Sequence, residues 1–156
     1  ILEPRPWHDD IRFWSQFLID WDALAQDRVR RDFLRCVQDL VALRRRHPGL
    51  RGEGVRVPQV HERDRVIVLH RWVEGEGRDV VVVASLNERP LTDYPVTLPG
   101  PGHWHEVFNS DFYDPFPNPA PVGNGGGLSA EPAGGFAYPF VARMRVPAHG
   151  VIVLAR

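Results

Sequence analysis

The stretch DVVVVASL, residues 79–86, decides the fold. Its four consecutive valines are β-branched, which suits a pleated strand better than a helix. The run shows no alternation of apolar and polar residues, the mark of a central strand covered on both faces. Working outward, GVRVPQV (54–60) and RVIVLHRW (65–72) precede it. YPVTL (94–98), HWHEVFN (103–109), YPFVARMRV (138–146) and GVIVLA (150–155) follow it. Together these give about seven strands, parted by turn-forming connectors such as EGEG and NERPLTD. No helical pattern lies between them, so the expected architecture is an antiparallel β-sandwich and not a parallel sheet.

Upstream of residue 48 the texture differs. An aromatic-rich opening leads to a helical pattern in which Val29, Phe33, Val37, Leu40 and Val41 recur at helical spacing. Asp27 is the expected N-cap, and Arg44, Arg45 and Arg46 followed by Pro48-Gly49 end the helix. Leu34, Cys36 and Leu43 widen the apolar arc beyond one stripe. Such a helix needs cover on more than one side.

Composition sets the outer limits. At 156 residues and 43% apolar composition, the chain can bury one core, or one core plus an extension. Its 25% charged residues and formal net charge of −1 fit an ordinary globular protein and give no argument for nucleic acid or an acidic tail. All 19 basic residues are arginine, which reads as a compositional habit, with Arg44–Arg46 a solvated helix end. One cysteine, Cys36, excludes an internal disulfide and reads as a buried thiol. No apolar run is long enough to span a bilayer and no leader is visible, so the expectation is a cytoplasmic protein. The chain opens ILEPRPW, and its only methionine is Met144, so it is expected to be a piece of something longer.

The GNGGG cluster (123–127) lacks the strand before it, the helix after it and the lysine that a phosphate cradle needs. Its glycines are expected to supply positive φ and close backbone approach within a long loop from 109 to 138. His103 and His105 share one strand face but lack a third ligand, so no metal is expected. Asp9 with Asp10, and Asp111 with Asp114, read as turn formers and caps; no serine sits in a nucleophile elbow. The aromatic clusters Trp7, Trp14, Trp21 and Phe112, Tyr113, Phe116 suit either packing or stacking on sugar faces.

Three stretches together resemble a known family: FLRCVQDLVALRRRHPGLRGEGV (33–55), DVVVVASLNE (79–88) and EVFNSDFYD with VGNGGG (106–127). They are similar to the C-terminal end of glycogen branching enzymes, members of the α-amylase superfamily. The resemblance implies that residues 1–47 are the last loop and helix of a (β/α)8 catalytic barrel. Residues 48–156 would then be the appended all-β domain, a Greek-key sandwich. It implies a parent that cuts α-1,4-glucan and transfers the cut chain to form α-1,6 branches, with no cofactor. The parent's catalytic aspartate and glutamate lie in motifs that this sequence does not contain, so the chain itself is expected to hold no catalytic residue. By the same resemblance Glu3 and Trp7 stand near substrate in the complete enzyme. Phe112, Tyr113 and Phe116 are candidates for contact with glycogen or with the barrel. The alternatives are a stand-alone glycan-binding sandwich or the tail of another enzyme of the superfamily, such as an amylase, a debranching enzyme or a maltosyltransferase.

Overall fold

The computed structural model describes residues 20–115 and 118–156. The chain divides between Leu40 and Val41 into two compact units. Helix α1 (Trp21–Gln26) opens on Asp20, whose Oδ1 accepts from the Ala23 N–H at 2.9 Å. Helix α2 (Arg28–Arg46) starts where the sequence places its cap: Asp27 Oδ1 accepts from the N–H of Val29 at 2.9 Å and of Arg30 at 3.3 Å. Its last turn carries Arg44, Arg45 and Arg46, cations that complement the carbonyl end of the helix. Pro48 then begins a single 3₁₀ turn, Pro48–Leu50, because proline cannot continue an α-helix.

Among the described residues eight strands follow: β1 (Gly54–His61), β2 (Val66–Trp72), β3 (Val80–Ser85), β4 (Leu91–Leu98), β5 (Gly102–Asn109), β6 (Gly127–Pro132), β7 (Phe140–Val146) and β8 (Val151–Ala155). All pairings are antiparallel, in the order β1-β2-β3-β8-β5-β6-β7-β4. Strands β5, β6 and β7 form a meander, and β4 lies beside β7, which is the Greek-key arrangement. The mainly-β antiparallel fold is as the sequence implies. The eighth strand is β6, in a segment that reads as loop because LSAEP has little β-branched character. Its position comes from pairing with His103 to His105 on one side and Val141 on the other.

The sheet turns over so that one face lines a single interior. Val66 and Val68 of β2, Val81 and Val83 of β3, Trp104 of β5, Met144 of β7 and Leu154 of β8 meet there. Trp104 is fully buried, and its indole N–H donates to Gly100 O at 3.1 Å, satisfying the one polar atom it brings inside. The two end strands are tied by Gln59. Its side chain donates to Pro95 O at 3.0 Å and accepts from the Thr97 N–H at 3.2 Å. A register shift in β1 between Arg56 and Gln59 brings that carboxamide to β4.

Candidate docking surface

The opposite face of the β1-β2-β3-β8-β5 layer is also apolar, and this sets the chain apart from a sandwich that faces water. Register fixes three cross-strand rows on it. One row runs Val60, Ile67, Ala84, Val151; the next runs Leu69, Val82, Val153, Phe108; the third runs Val55, Arg71, Val80, Ala155. This is why Val80 to Val83 do not alternate: Val81 and Val83 enter the interior while Val80 and Val82 enter the outer rows. Leu43 and Leu50 pack on the part of the face around Val80, Val153 and Ala155. Among the described residues, Val55, Val57 and Val60 on the β1 side are exposed, Val60 at 64%. Water-facing strands ordinarily place polar residues at such positions.

In the first unit, helix α2 carries its own row of exposed apolar residues. Val29, Phe33, Val37 and Leu40 are exposed, Phe33 at 41% and Val37 at 42%. These are the residues whose spacing defines the helix in the sequence. Four-residue ion pairs such as Arg28–Asp32 (3.4 Å) and Arg35–Asp39 (3.7 Å) lie elsewhere on its surface and are worth only tenths of a kcal/mol each. Cys36 is half-buried, not buried as expected; desolvation, then Asp39, push its thiol up and keep it protonated.

The long loop after β5 is built around a carboxylate. Glu106 Oε1 accepts from Asn109 Nδ2 at 2.9 Å, and Glu106 Oε2 accepts from Asn124 Nδ2 at 2.7 Å. Asn109 Nδ2 also donates to Val122 O at 3.0 Å, and buried Asp111 accepts from the Val122 N–H at 3.1 Å. One carboxylate thus pins both ends of the loop, with charge-assisted bonds stronger than neutral ones. Residues 110–112 form a 3₁₀ turn that leaves Phe112 58% exposed. Its ring lies on Gly123, where a Cβ would come within 2.4 Å of Cε2. Tyr113 is half-buried, 6.0 Å from the Phe108 ring between centroids.

Gly125 and Gly126 take φ of 64° and 90°, the positive-φ role expected of the cluster. Gly127 lies against the Trp104 carbonyl and the His103 ring. Of the sequence-predicted positions, Phe112 and Tyr113 therefore sit on one loop; Glu3, Trp7 and Phe116 lie outside the described residues. His103 and His105 do share a face, with ring centroids 4.7 Å apart, and among the described residues no third ligand-type side chain joins them. Among the described residues, no helix is long and apolar enough to cross a membrane.

The sequence model of the family described as "Alpha amylase, C-terminal all-beta domain" matches residues 58–156. The chain belongs to that family. It is also similar to the 1,4-alpha-glucan branching enzyme GlgB of Marinobacter nauticus, 30% identical over 149 residues, covering 90% of this chain and 23% of the relative. The GlgB of Burkholderia pseudomallei (strain 1106a) is 30% identical over 143 residues, covering 86% and 19%. A GlgB 2 of Xanthomonas campestris pv. campestris (strain 8004) is 29% identical over 142 residues, covering 87% and 19%. The chain spans about a fifth of the length of these curated relatives.

This α-amylase C-terminal all-β domain also holds a polar cluster that the sequence reading passed over. His70 is buried, with Nδ1 at 2.7 Å from the Tyr138 hydroxyl and Nε2 at 2.8 Å from Asp79 Oδ1. An ionised Asp79 can only accept, so Nε2 donates to it, while Nδ1 is hydrogen-bonded with the Tyr138 hydroxyl. Both ring nitrogens are engaged, and Trp72 stacks on the imidazole at 4.6 Å. Burial pushes the Tyr138 phenol up, partly opposed by the Arg56 guanidinium 5.1 Å from its ring. The cluster's signal was alternation: His70 continues the inward series Val66, Val68. Beside it a cleft of about 680 Å³ is lined by Trp72 and the carboxylates Glu53, Glu74 and Glu76. His70 stacks against the indole of Trp72, and Gly54 lies against the indole's fused-ring atoms.

Proposed function

We propose that this chain is the non-catalytic C-terminal part of a 1,4-α-glucan branching enzyme, and that its work is to cover and stabilise a (β/α)8 barrel. In this reading residues 1–47 supply the last loop and helix of the barrel, and residues 48–156 supply the appended all-β domain. The observation that carries it is the exposed apolar stripe of α2, Val29, Phe33, Val37 and Leu40. Burying such a stripe contributes roughly 25 cal/mol per Å² of apolar area, a gain that water cannot supply. The exposed valines of β1 give the all-β domain an apolar surface of its own.

The parent reaction is a retaining transfer in which an aspartate forms a glycosyl intermediate and a glutamate serves as acid, then base. Those two groups belong to the barrel. Barrel enzymes build their sites from loops at the C-terminal ends of the strands, which gives Glu3 and Trp7 positions near substrate. Phe112, Tyr113 and Phe116 contact the barrel or the glucan from the loop. The test is an amylose-branching assay of the chain by itself, read by iodine absorbance. No branching is expected, and measurable branching would overturn the reading.

Exposed Phe112 on a pinned loop favours one other reading, a glycan-binding module that stacks aromatic rings on sugar faces. Affinity electrophoresis through glycogen separates the two. Retardation that disappears in Phe112→Ala supports binding, and unchanged mobility supports covering alone.

A further inference from the structure

Asn124-Gly125 places a carboxamide next to the residue that hinders least the approach of its own backbone nitrogen. Three bonds hold that carboxamide. Nδ2 donates to Glu106 Oε2 at 2.7 Å and to Arg145 O at 3.1 Å, while Oδ1 accepts from the Arg145 N–H at 2.8 Å. Asn124 is half-buried, but Gly125 and Gly126 are exposed in a turn closed by the Gly127 N–H on Asn124 O at 3.3 Å. Water and base therefore reach the peptide nitrogen of Gly125.

We propose that Asn124-Gly125 is a self-modification site, held in check by the Glu106 carboxylate, and that its conversion unlatches the loop. The Gly125 nitrogen gives its proton to solvent base and attacks Asn124 Cγ. The Cγ–Nδ2 bond breaks, and ammonia leaves after taking a proton from water. Water then opens the resulting five-membered imide at either carbonyl, leaving aspartate or isoaspartate. The net change is one water gained and one ammonia lost, with no oxidation or reduction.

Two features of the native loop oppose this step. Attack comes perpendicular to the carboxamide plane, whereas bonds at both Oδ1 and Nδ2 fix that plane. The carboxylate on Nδ2 also feeds electron density into the amide and makes ammonia a poorer leaving group. The product reverses the attraction. An aspartate at 124 faces the Glu106 carboxylate where a 2.7 Å bond stood, and it cannot donate to Arg145 O. Like charges at that separation in a half-buried site repel strongly. Because Glu106 also accepts from Asn109, its displacement loosens that contact too and leaves the bonds of Asn109 and Asp111 to Val122 as the loop's remaining ties.

The full chain is incubated at mildly alkaline pH and followed by peptide mass mapping with isoaspartate detection. In Glu106→Gln, conversion at Asn124 is expected about tenfold faster than in the unaltered chain, the effect of losing one charge-assisted bond. Equal rates, or an Asn124 equally stable in the urea-unfolded chain, would overturn the proposal. If the Glu106→Gln chain does not fold, the unaltered chain across sub-denaturing urea replaces it. A rate that climbs before global unfolding supports the latch, and one that follows only global unfolding overturns it. The aged, more acidic species is then separated by charge and treated with protease. Cleavage within 109–127 that spares the fresh chain is expected; equal resistance would refute the unlatching.

Discussion

Phe112 and Gly123 are in direct register across the loop: the phenyl ring occupies the space where a side chain at 123 would stand, 2.4 Å from an ideal Cβ. A residue more than half exposed is thereby held in one place by the absence of a neighbour's side chain. Gly123→Ala should push the ring aside and cost about 1–2 kcal/mol, the usual range for modest overpacking. In Phe112→Ala the same glycine change should cost almost nothing. A double-mutant cycle on urea midpoints reads the coupling, and additive costs would separate the two residues.

Trp104 fills the interior beneath that loop's first strand, with no exposed surface and its N–H on Gly100 O. Trp104→Ala should destabilise by about 3–5 kcal/mol, through lost burial and the cavity left behind. Thermal or urea unfolding checks the value. A cost below about 1 kcal/mol would mean that the interior is not packed around this residue.

The end of α2 should respond to acid. His47 is held below its ordinary value of 6.5, first by burial and then by the Arg46 guanidinium. A depressed value means that the unfolded chain binds the proton more readily than the folded one. The contribution is therefore fully present above pH 6.5 and is lost as pH falls through the folded value. Unfolding midpoints measured against pH should decline across that window, and His47→Gln should flatten the decline.

Tyr94 acts on the alkaline side. Burial, the largest influence, raises its phenol, opposed by the hydrogen bond from Gln59, with Asp64 adding to the rise. A raised value contributes stability that is complete below the ordinary value of 10.0 and is lost as pH climbs through the folded one. Tyr94→Phe should flatten the alkaline limb while costing stability at neutral pH, since it gives up the contact with His61 at 3.0 Å.

Much of this architecture was legible in local pattern. The four valines of β3 announced a strand with two apolar faces, and Asp27 with Val29, Phe33 and Val37 announced the helix and its start. What escaped depended on partners distant in sequence. Strand β6 has a poor strand sequence and exists through its pairing with β5 and β7. Connector residues Leu91 and Thr92 extend β4 because β7 stands beside them. Glu106 belongs to a motif visible in the sequence, yet only the fold shows it joined to Asn124, 18 residues on. His70 looked like an ordinary strand residue until Asp79 and Tyr138 closed on it.

If the stripe of α2 exists to be covered, charging it should leave the chain itself nearly intact. Phe33→Glu with Val37→Glu should change folding stability by no more than about 1 kcal/mol, as for two exposed positions. The decisive measurement is titration calorimetry of the chain against the separately expressed catalytic barrel from its own source, with and without that pair of substitutions. Saturable binding by the unaltered chain that the two glutamates abolish is the expected result. Binding that is absent, or that survives both charges undiminished, would contradict the claim that this helix is a docking surface.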